Sequence, residues 1–140
     1  MRVALLCFLL VCAILQASSV EYPEQFHDEH SIACTKKLKM DKSDLNNIMD
    51  ESFDVYQNPT ARSYKKCIFE GMNLVKDGEF VREATVNYIA TKVVPFYKPN
   101  VHDPAVEAGK AYDRCEHVEG GKDGERIVNF INCVNAELRK

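Results

Sequence analysis

Histidine and cysteine are the side chains in this sequence best suited to metal binding or catalysis, and one group of them is regularly spaced. His27, His30 and Cys34 follow one another at i, i+3 and i+7, which would place them on one face of a helix. Imidazole nitrogen and thiolate sulfur are both zinc ligands. A metal site and a disulfide-bonded helix face are therefore both open, and the second is favoured because the chain has no Cys-x-x-Cys pair.

No catalytic motif is recognisable in the sequence. The chain lacks a Gly-x-Ser-x-Gly nucleophile turn, a His-Glu-x-x-His metal motif, a phosphate-binding loop and a dinucleotide fingerprint. The His-Asp pairs at His27 and His102 have no neighbouring cysteine pair of the kind seen in secreted phospholipases. We therefore expect a protein that is not an enzyme and uses no metal or cofactor, and a small secreted hydrolase is the least favoured alternative.

The first nineteen residues have the pattern of a secretion signal. Arg2 supplies a positive start, residues 3–15 are an unbroken apolar run, and Ala17 and Ser19 are small residues at the −3 and −1 positions of a cleavage site. The run is shorter than the roughly twenty residues of a membrane-spanning helix, so a membrane anchor is the less favoured interpretation. We expect a signal peptide over residues 1–19, one domain over residues 20–140 and a secreted protein that does not insert into membranes.

The predicted mature chain is acidic. The whole sequence has 18 basic and 21 acidic residues, and without Arg2 the net charge of residues 20–140 is −4. This charge disfavours nucleic acid and anionic membranes as main partners, because both attract basic patches. Four cysteines in a secreted chain predict two disulfides, and the residues alone leave three pairings open. These cysteines are Cys34, Cys67, Cys115 and Cys133.

Helical periodicity dominates residues 20–140. Apolar residues recur at three- and four-residue intervals over residues 45–56, 64–75 and 127–138. Three further stretches have helical character, and these are residues 23–38, 81–92 and 103–117. The longest connection is predicted over residues 93–102. The pattern predicts an all-α protein, a compact bundle of about six helices.

Two features of the sequence are specific enough to indicate a family. Residues 66–80, KCIFEGMNLVKDGEF, are similar to the third helix and following turn of the insect odorant-binding protein family. The separation of Cys115 from Cys133 matches that of the fourth and sixth cysteines of the same family. The resemblance covers essentially the whole predicted mature chain.

The resemblance implies one disulfide fewer than most members have. Ser63 and Gly124 stand where six-cysteine members carry their second and fifth cysteines. Both partners of one bridge are thus absent together, as in the four-cysteine branch called minus-C. The two bridges that the resemblance implies are Cys34–Cys67 and Cys115–Cys133.

The resemblance also implies a function. Family membership predicts an internal hydrophobic cavity and a secreted carrier that binds a small hydrophobic ligand non-covalently, such as an odorant, pheromone or lipid-like molecule, and transports or buffers it. The candidate wall residues are Phe53, Tyr56, Ile68, Met72, Leu74, Tyr88, Ile89, Val93, Phe96, Tyr97, Tyr112, Phe130, Ile131 and Val134. Each also fits an ordinary core position. Met72 is favoured because a flexible thioether suits a pocket of irregular shape.

Other partners and one other class of function stay open. A weak homodimer and a receptor are compatible with the resemblance. The main alternative to a carrier is a secreted helical protein-binding or signalling module, which would expose an apolar patch instead of enclosing a cavity.

Overall fold

The computed structural model describes residues 20–140, so the predicted signal peptide lies outside the described residues. Six helices account for most of this part of the chain: α1 (Glu29–Lys37), α2 (Lys42–Asn46), α3 (Pro59–Gly71), α4 (Arg82–Tyr88, continued by Ile89–Val93 and Val94–Tyr97), α5 (Pro104–Cys115) and α6 (Glu125–Leu138). A 3₁₀ turn, Glu24–Phe26, precedes them. Two antiparallel strands of two residues each, β1 (Val75–Lys76) and β2 (Glu79–Phe80), flank a turn formed by Asp77 and Gly78. The predicted all-α bundle is confirmed.

Local hydrogen bonds fix where four of these helices begin. The side chain of the residue before each helix accepts a hydrogen bond from a backbone N–H of the first turn. These caps are Asp28 for α1, Asp41 for α2, Asn58 for α3 and Asp103 for α5. Proline occupies the first position of α3 and α5, where its missing N–H costs nothing.

The helix predicted over residues 45–56 ends early, so that prediction was wrong. Regular structure stops at Asn46, and Phe53 adopts a left-handed backbone conformation with φ of 63°. The cause lies in α6, whose Asn132 side chain accepts from the Val55 N–H at 2.7 Å and donates to the Val55 carbonyl at 2.9 Å. Asn135 donates to the Phe53 carbonyl at 3.1 Å. These bonds satisfy backbone groups that a helix would have paired internally.

The connection predicted over residues 93–102 is also shorter than expected, because α4 continues through Pro95. A proline inside an α-helix lacks an N–H and crowds the carbonyl one turn earlier. Here the preceding turn, Ile89–Val93, is a π turn in which the Val94 N–H donates to the carbonyl of Ile89, five residues back. This wider turn accommodates Pro95, and the helix extends to Tyr97.

Two disulfides join the helices in pairs. Cys34–Cys67 joins α1 to α3 with Cα atoms 5.9 Å apart, and Cys115–Cys133 joins α5 to α6 with Cα atoms 5.8 Å apart. The pairing implied by the family resemblance is confirmed. Because the sulfur of Cys34 is bonded to Cys67, it is not available as a metal ligand.

The core lies where α3, α4, α5 and α6 face one another. Phe130 of α6 is at its centre and 1% exposed, with its ring stacked on Phe80 at 4.2 Å and edge-on to Tyr112 at 5.8 Å between centroids. Within residues 20–140, no helix is both long and apolar enough to cross a membrane.

Gly124 lets the loop before α6 approach α3 closely. Its φ is +106°, and a Cβ built on it would lie 2.8 Å from the carbonyl carbon of Arg62. A side chain at position 124 therefore meets a strained backbone and a collision with backbone atoms. A third bridge between positions 63 and 124 would require this loop to move.

Substituting Gly124→Ala should lower the free energy of unfolding by about 2 kcal/mol, from left-handed strain and overpacking. Gly109→Ala is the matched control, because Gly109 lies inside α5 with no atom within 4 Å of the added Cβ. The control should stabilise by about 0.5–1 kcal/mol, since alanine is the better helix former. Denaturant unfolding measures both, and equal effects of the two substitutions would contradict the close approach.

Candidate functional site

A cavity of about 50 Å³ lies between α3, α4, α6 and the loop that carries Phe53. Most of its lining is aromatic or aliphatic. Ten of the fourteen predicted wall residues line it: Phe53, Ile68, Tyr88, Ile89, Val93, Phe96, Tyr97, Phe130, Ile131 and Val134.

The other four predicted wall residues do not line this cavity. Tyr56 is 42% exposed, because the helix expected to turn it inward is absent. Met72 lies at the C-terminal cap of α3, three residues after Phe69, which is the last residue of α3 in the lining. Leu74 is buried beneath the β1–β2 hairpin, where its carbonyl accepts from the Val81 N–H, and Tyr112 packs against Phe130 from α5. Helical spacing identifies a buried face but not which buried residues meet a cavity.

Four aromatic rings form a contacting cluster in the cavity wall. Phe96 contacts Phe26 at 5.7 Å, Phe53 at 4.9 Å and Tyr97 at 5.0 Å between ring centroids. All four line the cavity, and each is only half-buried. This aromatic cluster therefore lines the cavity and is also partly accessible to solvent.

Lys65 is the one cationic side chain of the lining. It is 7% exposed, and its Nζ donates to the Tyr22 hydroxyl at 3.3 Å and lies 5.2 Å from the centroid of that ring. No carboxylate of the described residues forms an ion pair with it. Burial lowers the pKa of its ammonium group from 10.5 to about 8.

Comparison with known proteins agrees with this architecture. The sequence matches the PBP/GOBP family over residues 17–137, which is most of the chain. This chain belongs to the PBP/GOBP family. The resemblance seen in residues 66–80 and in the cysteine spacing is thereby confirmed.

The fold of this PBP/GOBP protein is similar to a solved structure described as "Fatty acid binding protein OBP56a from the oral disk of the blowfly Phormia regina". The TM-score is 0.54 and the sequence identity 18%, with 77% of this chain and 84% of the blowfly chain covered. At that identity the likeness shows a shared fold. Among curated protein sequences, none matches this chain significantly.

Seven lining residues of this PBP/GOBP protein were missed by the sequence prediction. They are Phe26, Met49, Val55, Lys65, Phe69, Thr85 and Asn135. The position of Lys65 could have been predicted from the sequence, because it lies three residues before Ile68 and therefore on the same helix face. The positions of Met49 and Val55 could not, because they lie in a loop whose shape is set by hydrogen bonds from residues distant in sequence.

Some polar side chains of the lining use their donors in hydrogen bonds to the backbone, and Lys65 does not. Thr85 Oγ1 donates to the Leu74 carbonyl at 3.0 Å, and the Asn135 amide donates to the Phe53 carbonyl. Lys65 keeps donors that no described acceptor uses. These lining residues can enclose and orient a molecule, and they include no nucleophile paired with a base.

The cavity is smaller than an occupied ligand site. Small-molecule pockets measure roughly 300–1,000 Å³, whereas this one measures about 50 Å³. A ligand must therefore push side chains of the cavity wall apart.

Proposed function

We propose that this protein is a secreted carrier that binds a small hydrophobic ligand non-covalently in the cavity between α3, α4 and α6, and transports or buffers it. The observation that carries the proposal is a cavity lined mainly by aromatic and aliphatic side chains, in a chain of the PBP/GOBP family. Affinity would come from burial of ligand surface, at about 25 cal/mol per Å² of apolar area. No chemical step is part of this function.

The two disulfides and the leader support secretion. Disulfides persist in oxidising compartments, and a small extracellular domain gains stability from them. The four cysteines of residues 20–140 form two bridges, which fits the four-cysteine branch of the family. The apolar run of residues 3–15 fits export of the chain.

Displacement of a fluorescent hydrophobic probe tests the carrier function. We expect saturable binding at micromolar concentrations, and a thermal midpoint that rises with ligand because the ligand binds the folded state. Substituting Val93→Phe adds volume to a buried wall residue and should weaken binding about tenfold or more. Val106→Phe is the matched control, because Val106 is 48% exposed and does not line the cavity.

Two outcomes would contradict the proposal. One is a lack of saturable binding by protein that circular dichroism shows to be folded. The other is an equal effect of the Val93 and Val106 substitutions. Either would favour a helical protein-binding module over a small-molecule carrier.

A further inference from the structure

Lys65 is a buried cation that lacks a counter-ion among the described residues. Its side chain lines the cavity and is 7% exposed, and its single hydrogen bond goes to the neutral hydroxyl of Tyr22. A buried charge is costly unless a partner compensates it. A lysine kept in this position therefore points to a partner that enters from the cavity.

The side chains around the Lys65 ammonium group are those of two tyrosines, which carry no negative charge. Its Nζ lies between the rings of Tyr22 and Tyr64, at 5.2 and 5.6 Å from their centroids. The Tyr64 hydroxyl is buried and has no hydrogen-bond partner within residues 20–140. An ammonium group has three donors and no acceptor. The missing component is thus an acceptor with negative charge.

The rest of the lining restricts what else the ligand contains. Thr85 and Asn135 are already bonded to backbone carbonyls, so Lys65 is the lining side chain with unused charge. The remaining surface is dominated by rings and aliphatic chains. It matches an apolar tail, and the hydroxyls of Tyr88 and Tyr97 are its other polar groups.

We propose that the ligand is an amphiphile with a single carboxylate and an apolar tail, and that Lys65 is the residue that binds the carboxylate. The inference rests on the proposed carrier function and adds the chemical class of the ligand. A carboxylate accepts hydrogen bonds at both oxygens and neutralises the ammonium charge. An alcohol of the same length would fill the apolar part of the cavity and leave that charge uncompensated.

Binding of decanoic acid and of decan-1-ol by the folded protein at pH 7 tests the proposal, because the two ligands share a tail length. A hydrogen bond to a charged group predicts a preference of about 10- to 100-fold for the acid. Lys65→Met should remove this preference by weakening acid binding, with the affinity for the alcohol unchanged within about threefold. Lys65→Arg should retain a preference for the acid, because it keeps the charge.

Lys66→Met is the matched control for the charge of the protein. Lys66 is the next residue on α3, it is half-exposed, it faces Glu70 at 3.9 Å, and it does not line the cavity. This variant should keep the preference of the unsubstituted protein. Equal affinities for acid and alcohol, or equal effects of the Lys65 and Lys66 substitutions, would overturn the role of Lys65 and leave the carrier function standing. Binding of neither ligand would overturn the carrier function as well.

Discussion

Replacing Lys65 by methionine should raise the free energy of unfolding at pH 7 by on the order of 3 kcal/mol. Burial lowers the pKa of Lys65 from 10.5 to about 8, and each pKa unit corresponds to about 1.4 kcal/mol. The folded protein therefore holds this proton less tightly than the unfolded chain does. Methionine has a similar length and no charge, and replacing buried charges by apolar groups of similar volume is often stabilising.

The pH dependence of this effect has a defined sign. Below about pH 8, Lys65 is protonated in both the folded and the unfolded states, so the whole penalty is present. Between about pH 8 and 10.5 the folded state has lost the proton and the unfolded chain still holds it, so the stability of the unsubstituted protein rises towards that of the variant. Burial raises the pKa of Tyr22 and of Tyr64, so both hydroxyls lose their protons at a higher pH in the folded protein than in the unfolded chain.

Denaturant unfolding at pH 7 and at pH 10 measures the difference between the unsubstituted protein and Lys65→Met. The difference should be large at pH 7 and mostly lost at pH 10. Lys66→Met should change stability little at either pH, since it removes a partly exposed charge. A difference for Lys65→Met that is the same at both pH values would mean that methionine stabilises by packing, and that the buried charge costs little.

Removing the Cys34–Cys67 bridge, in the double variant Cys34→Ser and Cys67→Ser, should lower the free energy of unfolding by roughly 3–4 kcal/mol. The bridge closes a loop of 33 positions, and the chain-entropy model gives this magnitude. Of the residues of α1, only Ser31 and Cys34 are buried. We therefore expect the covalent bond to contribute strongly to holding α1 on the bundle.

Amide hydrogen exchange distinguishes a loss of attachment from a general loss of stability. Without the bridge, the amides of α1 should exchange through local opening, while those of α6 stay protected up to the global free energy of unfolding. The control variant is Cys115→Ser with Cys133→Ser. Its loop has 18 positions, and α5 and α6 bury four and six residues, so both helices should stay protected. Full protection of α1 in the first variant would show that packing holds it.

The start sites of the helices were predictable from sequence because they depend on near neighbours. Asp41, Pro59 and Asp103 act within one turn of their own position: Asp41 and Asp103 cap their helices, and Pro59 is the first residue of α3. The disulfide pairing needed the family resemblance, because four cysteines alone leave three choices. The cysteine spacing of the family resolves the choice, because the family's cysteines pair between helices that lie side by side.

The loop that carries Phe53 was not predictable, because the residues that shape it are distant in sequence. Asn132 and Asn135 bond to it from 77 and 82 positions away, and their side chains are unremarkable in an amphipathic helix. Periodicity placed Ile68, Ile89 and Phe130 on buried faces, and all three line the cavity. Lys65 was missed because lysine at a helix position normally indicates a face in solvent.

The close approach of Gly124 to Arg62 constrains how this chain could acquire a third disulfide through single substitutions. A cysteine at position 124 alone would be strained, and its side chain would collide with the backbone of α3. A cysteine at position 63 alone would expose a free thiol, which in an oxidising fluid is open to oxidation or to pairing with another molecule. Each first step is harmful until the second is made. A route from this two-bridge chain to a three-bridge chain by single substitutions therefore passes through a variant that is either strained or carries a free thiol.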